Sequence, residues 1–367
     1  MAGIYIHIPF CRQACHYCNF HFSTSLRNKN ELVAALLKEI ELVSAFNEEI
    51  ETIYFGGGTP SLCLIDELKD ITDKTRSNFK VRADAEITLE ANPDDINEEL
   101  LRGWKAIGIN RLSIGVQSFF EEDLTWMNRA HNAEQAINNL QLAKQFFDNI
   151  SIDLIYGHPL LTNEKWKQNV DKAIKLNIPH LSCYALTVEP KTSLYKMIHQ
   201  HKFENIDPDK QAEQFLLLMQ WLTEAGYEHY EISNFAKAGW RSRHNSSYWH
   251  GKKYIGIGPS AHSFDGISRQ WNVANNKVYI QSLHQNIIPF EKEELTPTQK
   301  LNEFIMISIR TTEGLDLNKM DKQIAEKICS KAQKFIDSGK MILSENLLRL
   351  TNEGKLLADG IAADLFF

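Results

Sequence analysis

Three cysteines, Cys11, Cys15 and Cys18, fall within one short stretch with C-x3-C-x2-C spacing. Thiolates grouped this closely suit zinc or an iron–sulfur cluster. A structural zinc needs four closed ligands, usually drawn from C-x2-C pairs. There is no second pair here, so His7, His16 or His21 would have to complete such a site. Three thiolates around a cubane [4Fe–4S] cluster instead leave one iron without a protein ligand, open to a substrate or cofactor. The plainest alternative is three core cysteines that bind nothing. The other three cysteines, Cys63, Cys183 and Cys329, are scattered. A secreted disulfide scaffold would be shorter and richer in cysteine. The expectation is therefore a reducing cytoplasm and one metal-binding loop.

Other residues with chemistry to offer recur along the first half of the chain. Gly56-Gly57-Gly58-Thr59-Pro60 follows a strand-like run. It suits either close backbone approach to a ligand or simply a tight strand-to-helix turn. Glu90 is suited to a ligand's amino group or ribose hydroxyls, or to solvent alone. Gln117 closes another strand-like run, and Arg129 follows with a guanidinium fitted to a carboxylate. Asp153 stands in an apolar setting where an unpaired charge is costly, and Ala185 ends a further strand-like run. In the second half, Arg243-His244-Asn245-Ser246-Ser247-Tyr248-Trp249 brings a histidine beside two aromatics. His244 is either an axial ligand to haem iron or a satisfied core histidine, and His262 is a second candidate. Gly256-Ile257-Gly258-Pro259-Ser260-Ala261 has the form G-x-G-x-x-A, but Pro259 interrupts the helix that a dinucleotide site requires.

The elements that must position these residues alternate. Runs rich in β-branched and aromatic residues at 3–8, 52–56, 86–91, 111–117, 150–156 and 180–186 predict strands. Amphipathic stretches at 30–46, 61–77, 97–106, 133–147 and 163–176 predict helices, with Asn97, Asn132 and Asn163 as caps. Six strand–helix units predict an α/β fold with a parallel sheet. The candidate residues gather at strand C-termini, where barrel active sites form, so a partial (β/α)6 barrel is favoured over an open sheet. Beyond it, a helix is predicted at 208–225, single strands at 227–233 and 253–257, helices at 297–310 and 319–337, and short strands at 341–343 and 347–350. The expected division is a barrel over 1–190, a flanking extension over 191–290 and a smaller, mainly helical or winged C-terminal domain over 291–367.

The chain of 367 residues is 43% hydrophobic and 24% charged, which excludes disordered and fibrous classes. A net charge of −7 argues against a general nucleic-acid binder. The N-terminus lacks the basic start and apolar stretch of a signal peptide, and no apolar run is long enough to span a bilayer. Peripheral membrane contact and a homodimer are left open.

The cysteine spacing after the first strand, with Tyr5-Ile6-His7-Ile8-Pro9-Phe10 before it and Tyr17-Cys18-Asn19-Phe20 within it, resembles the radical S-adenosylmethionine (SAM) superfamily. It is most similar to the oxygen-independent coproporphyrinogen III dehydrogenase-like branch and, inside that branch, to the HemW-type haem chaperones. The resemblance implies that Cys11, Cys15 and Cys18 hold a [4Fe–4S] cluster whose unique iron is chelated by SAM, with Tyr17 beside the cluster. It implies SAM contacts at Tyr5, Gly57, Gly58, Thr59, Glu90, Gln117, Arg129, Asp153 and Ala185. It associates the HNxxYW motif with haem, and so implies a chaperone that passes haem to apo-haemoproteins. The alternative is the dehydrogenase itself, a radical SAM oxidative decarboxylase. That enzyme has a fourth cysteine where this chain has Phe20, and an N-terminal extension that Tyr5, almost at the start, leaves no room for. Ala238 also departs from a proline usual in the family.

Overall fold

The computed structural model describes all 367 residues. Six strands alternate with helices: β1 (Ala2–Ile8), α1 (Lys29–Leu42), β2 (Glu49–Gly57), α2 (Ile65–Asn78), β3 (Lys80–Ala91), α3 (Glu98–Ala106), β4 (Arg111–Gln117), α4 (Glu121–Trp126), α5 (Ala133–Ala143), β5 (Ile150–Tyr156), α6 (Asn163–Lys175) and β6 (His180–Ala185). Neighbouring strands from β1 to β6 pair in parallel and in chain order.

The strands have two faces of opposite chemistry. Ile4, Ile6, Ile53, Phe55, Leu112 and Ile152 enter the main core beneath the helices. The intervening residues point the other way, and they are polar: Tyr5, Tyr54, Glu90, Ser113, Asp153 and Ser182. Glu90 on β3 and Asp153 on β5 share this inner face, and the charge of Asp153 adds to the upward push on Glu90. That is the partial barrel, with a polar lumen.

The lumen is closed at its N-terminal end by α9 (Arg243–Trp249). Glu86, pointing inward from β3, accepts the backbone N–H groups of Arg243 (3.2 Å) and His244 (3.0 Å). A carboxylate at the first turn of a helix satisfies orphan donors and complements the helix dipole. Arg111 of β4 lies 3.9 Å from Glu86, and both are buried.

The remaining chain extends the same sheet. α7 (Ser193–His199) and α8 (Pro208–Glu224) lead to β7 (Glu228–Glu231) and β8 (Asn234–Ala236), and β8 pairs antiparallel with β6. At the opposite edge β9 (Lys253–Ile257) pairs in parallel with β1, followed by β10 (His262–Phe264), β11 (Ser268–Asn272) and β12 (Phe290–Glu294), with α10 (Asn276–His284) before β12. The result is one sheet of twelve strands. A second core gathers α11 (Pro297–Ile309), β13 (Leu315–Asp316), α12 (Lys322–Asp337), β14 (Met341–Ser344), β15 (Leu347–Leu350), α13 (Asn352–Lys355) and α14 (Ala358–Leu365), with a three-stranded sheet in the order β13-β15-β14.

Three sequence expectations need correction. The run 227–233 is not one strand, because the chain turns at Ile232–Ser233 to make the β7–β8 pair. Asn163 is the first residue of α6, and the cap is Thr162, whose hydroxyl accepts from Lys165 N. Helix bounds also differ: the helix expected at 30–46 ends at Leu42, that at 133–147 ends at Ala143, and that at 61–77 begins at Ile65. Asn97 and Asn132 do cap α3 and α5.

One buried carboxylate ties β1's flank together. Glu39 on α1 accepts from Gly258 N (2.7 Å), Asn272 Nδ2 (2.6 Å) and the Tyr279 hydroxyl (2.5 Å). Replacing Glu39 with Ala would leave several buried donors unpaired, each at a cost of about 1–3 kcal/mol. Glu39→Ala is therefore expected to lower the urea midpoint by the equivalent of at least about 2 kcal/mol. An unchanged midpoint would show that this network does not hold the extension to the barrel.

Candidate functional site

Cys11, Cys15 and Cys18 follow β1 on a loop that is fixed by its surroundings. Cys11 N donates to Ser23 O (3.0 Å), and His16 N donates to Met127 O (3.1 Å). Asn128, in the left-handed region at φ 57°, donates from its side chain to Ala14 O (2.7 Å) and accepts from Gln13 Nε2 (2.9 Å). The segment after α4 thus clamps the loop from one side. α7 clamps it from the other, with Leu194 N donating to His16 O (2.7 Å).

All three thiols are half-buried and free of disulfides. Burial pushes the Cys18 thiol up to about 11, with the neighbouring Cys15 and Cys11 contributing. Burial raises Cys11 too, partly offset by a hydrogen bond with Thr59. The histidines that a zinc site would need are committed elsewhere. His16 Nδ1 bonds Trp126 O (2.9 Å), His7 bonds His21 O through Nε2 (2.9 Å) and the Tyr5 hydroxyl through Nδ1 (3.3 Å), and His21 Nε2 bonds Asn276 (2.7 Å). No three His, Cys, Asp or Glu side chains close on a single-ion site. Three thiols on one loop suit a cubane cluster with one iron left open.

Arg129 lies beside the loop. Its Nη1 donates to Cys15 Sγ (3.3 Å), and its Nη2 to Asn92 Oδ1 (2.7 Å) and Gly115 O (2.8 Å). Its Nε is buried without a partner. Asn92 Nδ2 donates in turn to Thr59 Oγ1 (3.2 Å), which links the glycine turn to the arginine. Asn92 is a site residue that sequence reasoning passed over, although it stands two residues after Glu90 in the same strand end.

The glycine turn has a packing cause. Gly57 has φ 109°, and a Cβ there would lie 2.7 Å from the His7 ring. Its N–H donates to Glu90 Oε2 (3.1 Å), and Gly58 N donates to Ile8 O (2.9 Å). Glu90 also accepts from the Tyr54 hydroxyl (2.8 Å). Burial, with Asp153 adding to it, pushes Glu90 up to about 7. Burial likewise pushes Asp153 up to about 6, against a hydrogen bond from Ser182 and the charge of Arg111.

Gln117, last in β4, is buried at φ 66°. A side chain other than glycine held there stores strain that the surroundings must offset. Gln117 Nε2 and Arg129 Nη2 both crowd the position where a Gly115 Cβ would stand. The structure therefore brings Cys11, Cys15, Cys18, Tyr17, Thr59, Arg129 and Gln117 together at the C-terminal mouth of the lumen. Glu90 and Ala185 stand at their strand ends, and Tyr5 and Asp153 lie deeper on the inner face.

His244 is elsewhere, on the lumen floor, buried at 1% exposure. Its Nδ1 bonds Thr52 Oγ1 (2.7 Å) and its Nε2 bonds the Tyr248 hydroxyl (2.8 Å), so both ring nitrogens have partners. Burial pushes it down to about 3, with Arg111 adding to the effect. Tyr54 stacks on its ring at 4.9 Å. In this arrangement His244 positions aromatic residues.

A radical SAM superfamily model matches residues 5–173, and a HemN C-terminal domain model matches residues 295–357. The heme chaperone HemW of Bacillus subtilis is 33% identical over 371 residues, covering 98% of each chain. HemW of Escherichia coli is 35% identical over 323 residues, covering 85% of this chain and 83% of that one. The mitochondrial radical S-adenosyl methionine domain-containing protein 1 of Mus musculus is 37% identical over 269 residues, covering 71% and 60%. Among solved structures, coproporphyrinogen III oxidase (HemN) from Escherichia coli superimposes with a TM-score of 0.86 at 24% identity, covering 100% of this chain and 90% of that one. That likeness speaks to the fold alone.

Asn92→Ala removes partners from Arg129 and Thr59 at once. It is expected to cost about 1–3 kcal/mol, read as a lower urea midpoint with an unchanged slope. A midpoint equal to wild type would mean that Asn92 does not brace this mouth.

Proposed function

The chain belongs to the radical SAM superfamily and, within it, to the HemW family, and from that premise we propose that it is a haem chaperone, which binds haem and delivers it to apo-haemoproteins. The observation that carries this reading is the end-to-end similarity to relatives that bear the name. No helix is long and apolar enough to cross a membrane. Its working compartment is the cytoplasm, where the free cysteines stay reduced.

Cys11, Cys15 and Cys18 hold the [4Fe–4S] cluster in this reading, and Arg129 balances the negative charge of the thiolates. Tyr5, Gly57, Gly58, Thr59, Glu90, Gln117, Asp153 and Ala185 line the place for SAM, with Arg129 reaching both groups and Tyr17 beside the cluster. When bound, the cluster and SAM together supply one-electron chemistry at an iron that no side chain ligates. The chain's own part is to orient and to exclude water. Glu90, held by Tyr54 and Gly57 N, offers a fixed acceptor. Arg129, held by Asn92 and Gly115 O, offers a fixed cation.

The test is anaerobic reconstitution followed by haem transfer. Wild-type protein should bind about four irons and four sulfides per chain, and Cys15→Ala should lose most of them. Haem-loaded wild type should restore the absorption spectrum of an apo-haemoprotein. Colourless, zinc-loaded protein would sink the cluster assignment. Protoporphyrinogen formed from coproporphyrinogen III, SAM and reductant would favour the dehydrogenase instead, despite Phe20 standing where that enzyme has its fourth cysteine.

A further inference from the structure

A cleft of about 990 Å³ opens between the mouth of the barrel, the β9–β11 side and the C-terminal domain. Its walls carry three kinds of group that a flat, dianionic iron porphyrin would use. Aromatic surface comes from Tyr248, Trp249, Tyr254 and Phe264, on which a macrocycle can lie. Arg269 is paired with Glu303 at 2.9 Å, whereas Lys300 and Lys319 have no ion-pair partner and are free for propionates. Of the histidines on the walls, His7 and His21 are engaged as described, while the rings of His250 and His262 have no hydrogen-bond partner.

His262 is the better placed of these two. It stands on β10, its ring stacked with Trp271 at 6.2 Å. Its backbone is pressed against β9 so closely that a Cβ on Gly256 would lie 2.1 Å from His262 O. That contact accounts for the first glycine of the G-x-G-x-x-A run. A ligand on a short strand, braced by backbone and by a stacked ring, is pre-oriented in the way a metal ligand needs.

We propose that haem is seated in this cleft, flat against Tyr248 and Trp249, with His262 on the iron and Lys300 and Lys319 at the propionates. This rests on the haem-chaperone reading and gives the HNxxYW motif a different division of labour. Tyr248 and Trp249 line the cleft, whereas His244 holds Tyr248 from below through a 2.8 Å hydrogen bond. The near wall is Asn19, Phe20 and His21, which continue directly from Cys18, so the cargo lies beside the cluster loop.

The experiment is titration of reconstituted full-length protein with ferric protoporphyrin IX, read by absorption and electron paramagnetic resonance. It compares wild type with His262→Ala, His250→Ala and His244→Ala. His262→Ala should lose the signature of histidine-ligated iron and weaken binding at least about tenfold, and added imidazole should restore the signature. His244→Ala should keep the ligation signature while weakening binding, because it removes the support under Tyr248. Circular dichroism identifies any variant that has simply unfolded, and imidazole rescue separates a lost ligand from a lost fold. An unchanged His262→Ala spectrum, or loss of the signature in His250→Ala or His244→Ala instead, overturns the assignment while leaving the chaperone reading standing. Wild type that takes up no haem at all overturns both.

Discussion

A half-buried guanidinium with no carboxylate partner is the constraint on which the mouth of this barrel depends. Arg129 makes no ion pair; it reaches an asparagine, a backbone carbonyl and a cysteine sulfur, and its Nε has no partner. A buried cation costs several kcal/mol unless something negative and well oriented faces it. Of the three groups it touches, only Cys15 can become an anion. A loop of three neutral thiols would leave that cost standing, whereas thiolates bound to a metal cluster remove it. The arginine therefore argues against cysteines that bind nothing, independently of their spacing.

The period-two pattern that makes β1–β6 legible in the sequence also explains what remained hidden. Alternation identified Ile4, Ile6, Phe55 and Leu112 as core, and it thereby implied that Tyr5, Glu90 and Asp153 face the other way. Strand ends were legible because glycine, glutamine and proline mark them. Asn92 and Asn128 were not, because an asparagine in a turn is expected for local reasons. Only the structure brings Asn92 to Arg129 and Asn128 to Ala14, across 37 and 114 residues of chain. The shortest added strands were missed for a different reason: β10 and β8 are three residues each, too short for a period to register.

The HNxxYW motif illustrates how spacing on a helix separates jobs that adjacency in sequence runs together. His244 and Tyr248 are four residues apart, on one face of α9, and they meet through a hydrogen bond. The histidine is the inner member of that pair and the tyrosine the outer. Glu86 anchors the helix by its first turn, so the inner face cannot rotate outward without uncovering a buried carboxylate beside Arg111. The hydrogen bond with His244 fixes where Tyr248 stands on this helix.

The aromatic wall and the segment that follows Cys18 line one cleft. Two residues separate Cys18 from His21, and His21 carries bonds in two directions: its backbone carbonyl meets His7, under the glycine turn, and its ring meets Asn276 on the extension. Only Asn19 and Phe20 lie between Cys18 and the anchored His21. Phe20 is 66% exposed and lines the cleft. A cysteine at that position would be drawn toward the cluster; a phenylalanine is left to meet whatever occupies the cleft. On the proposed assignment, Phe20 gives the cleft an apolar contact that continues directly from Cys18.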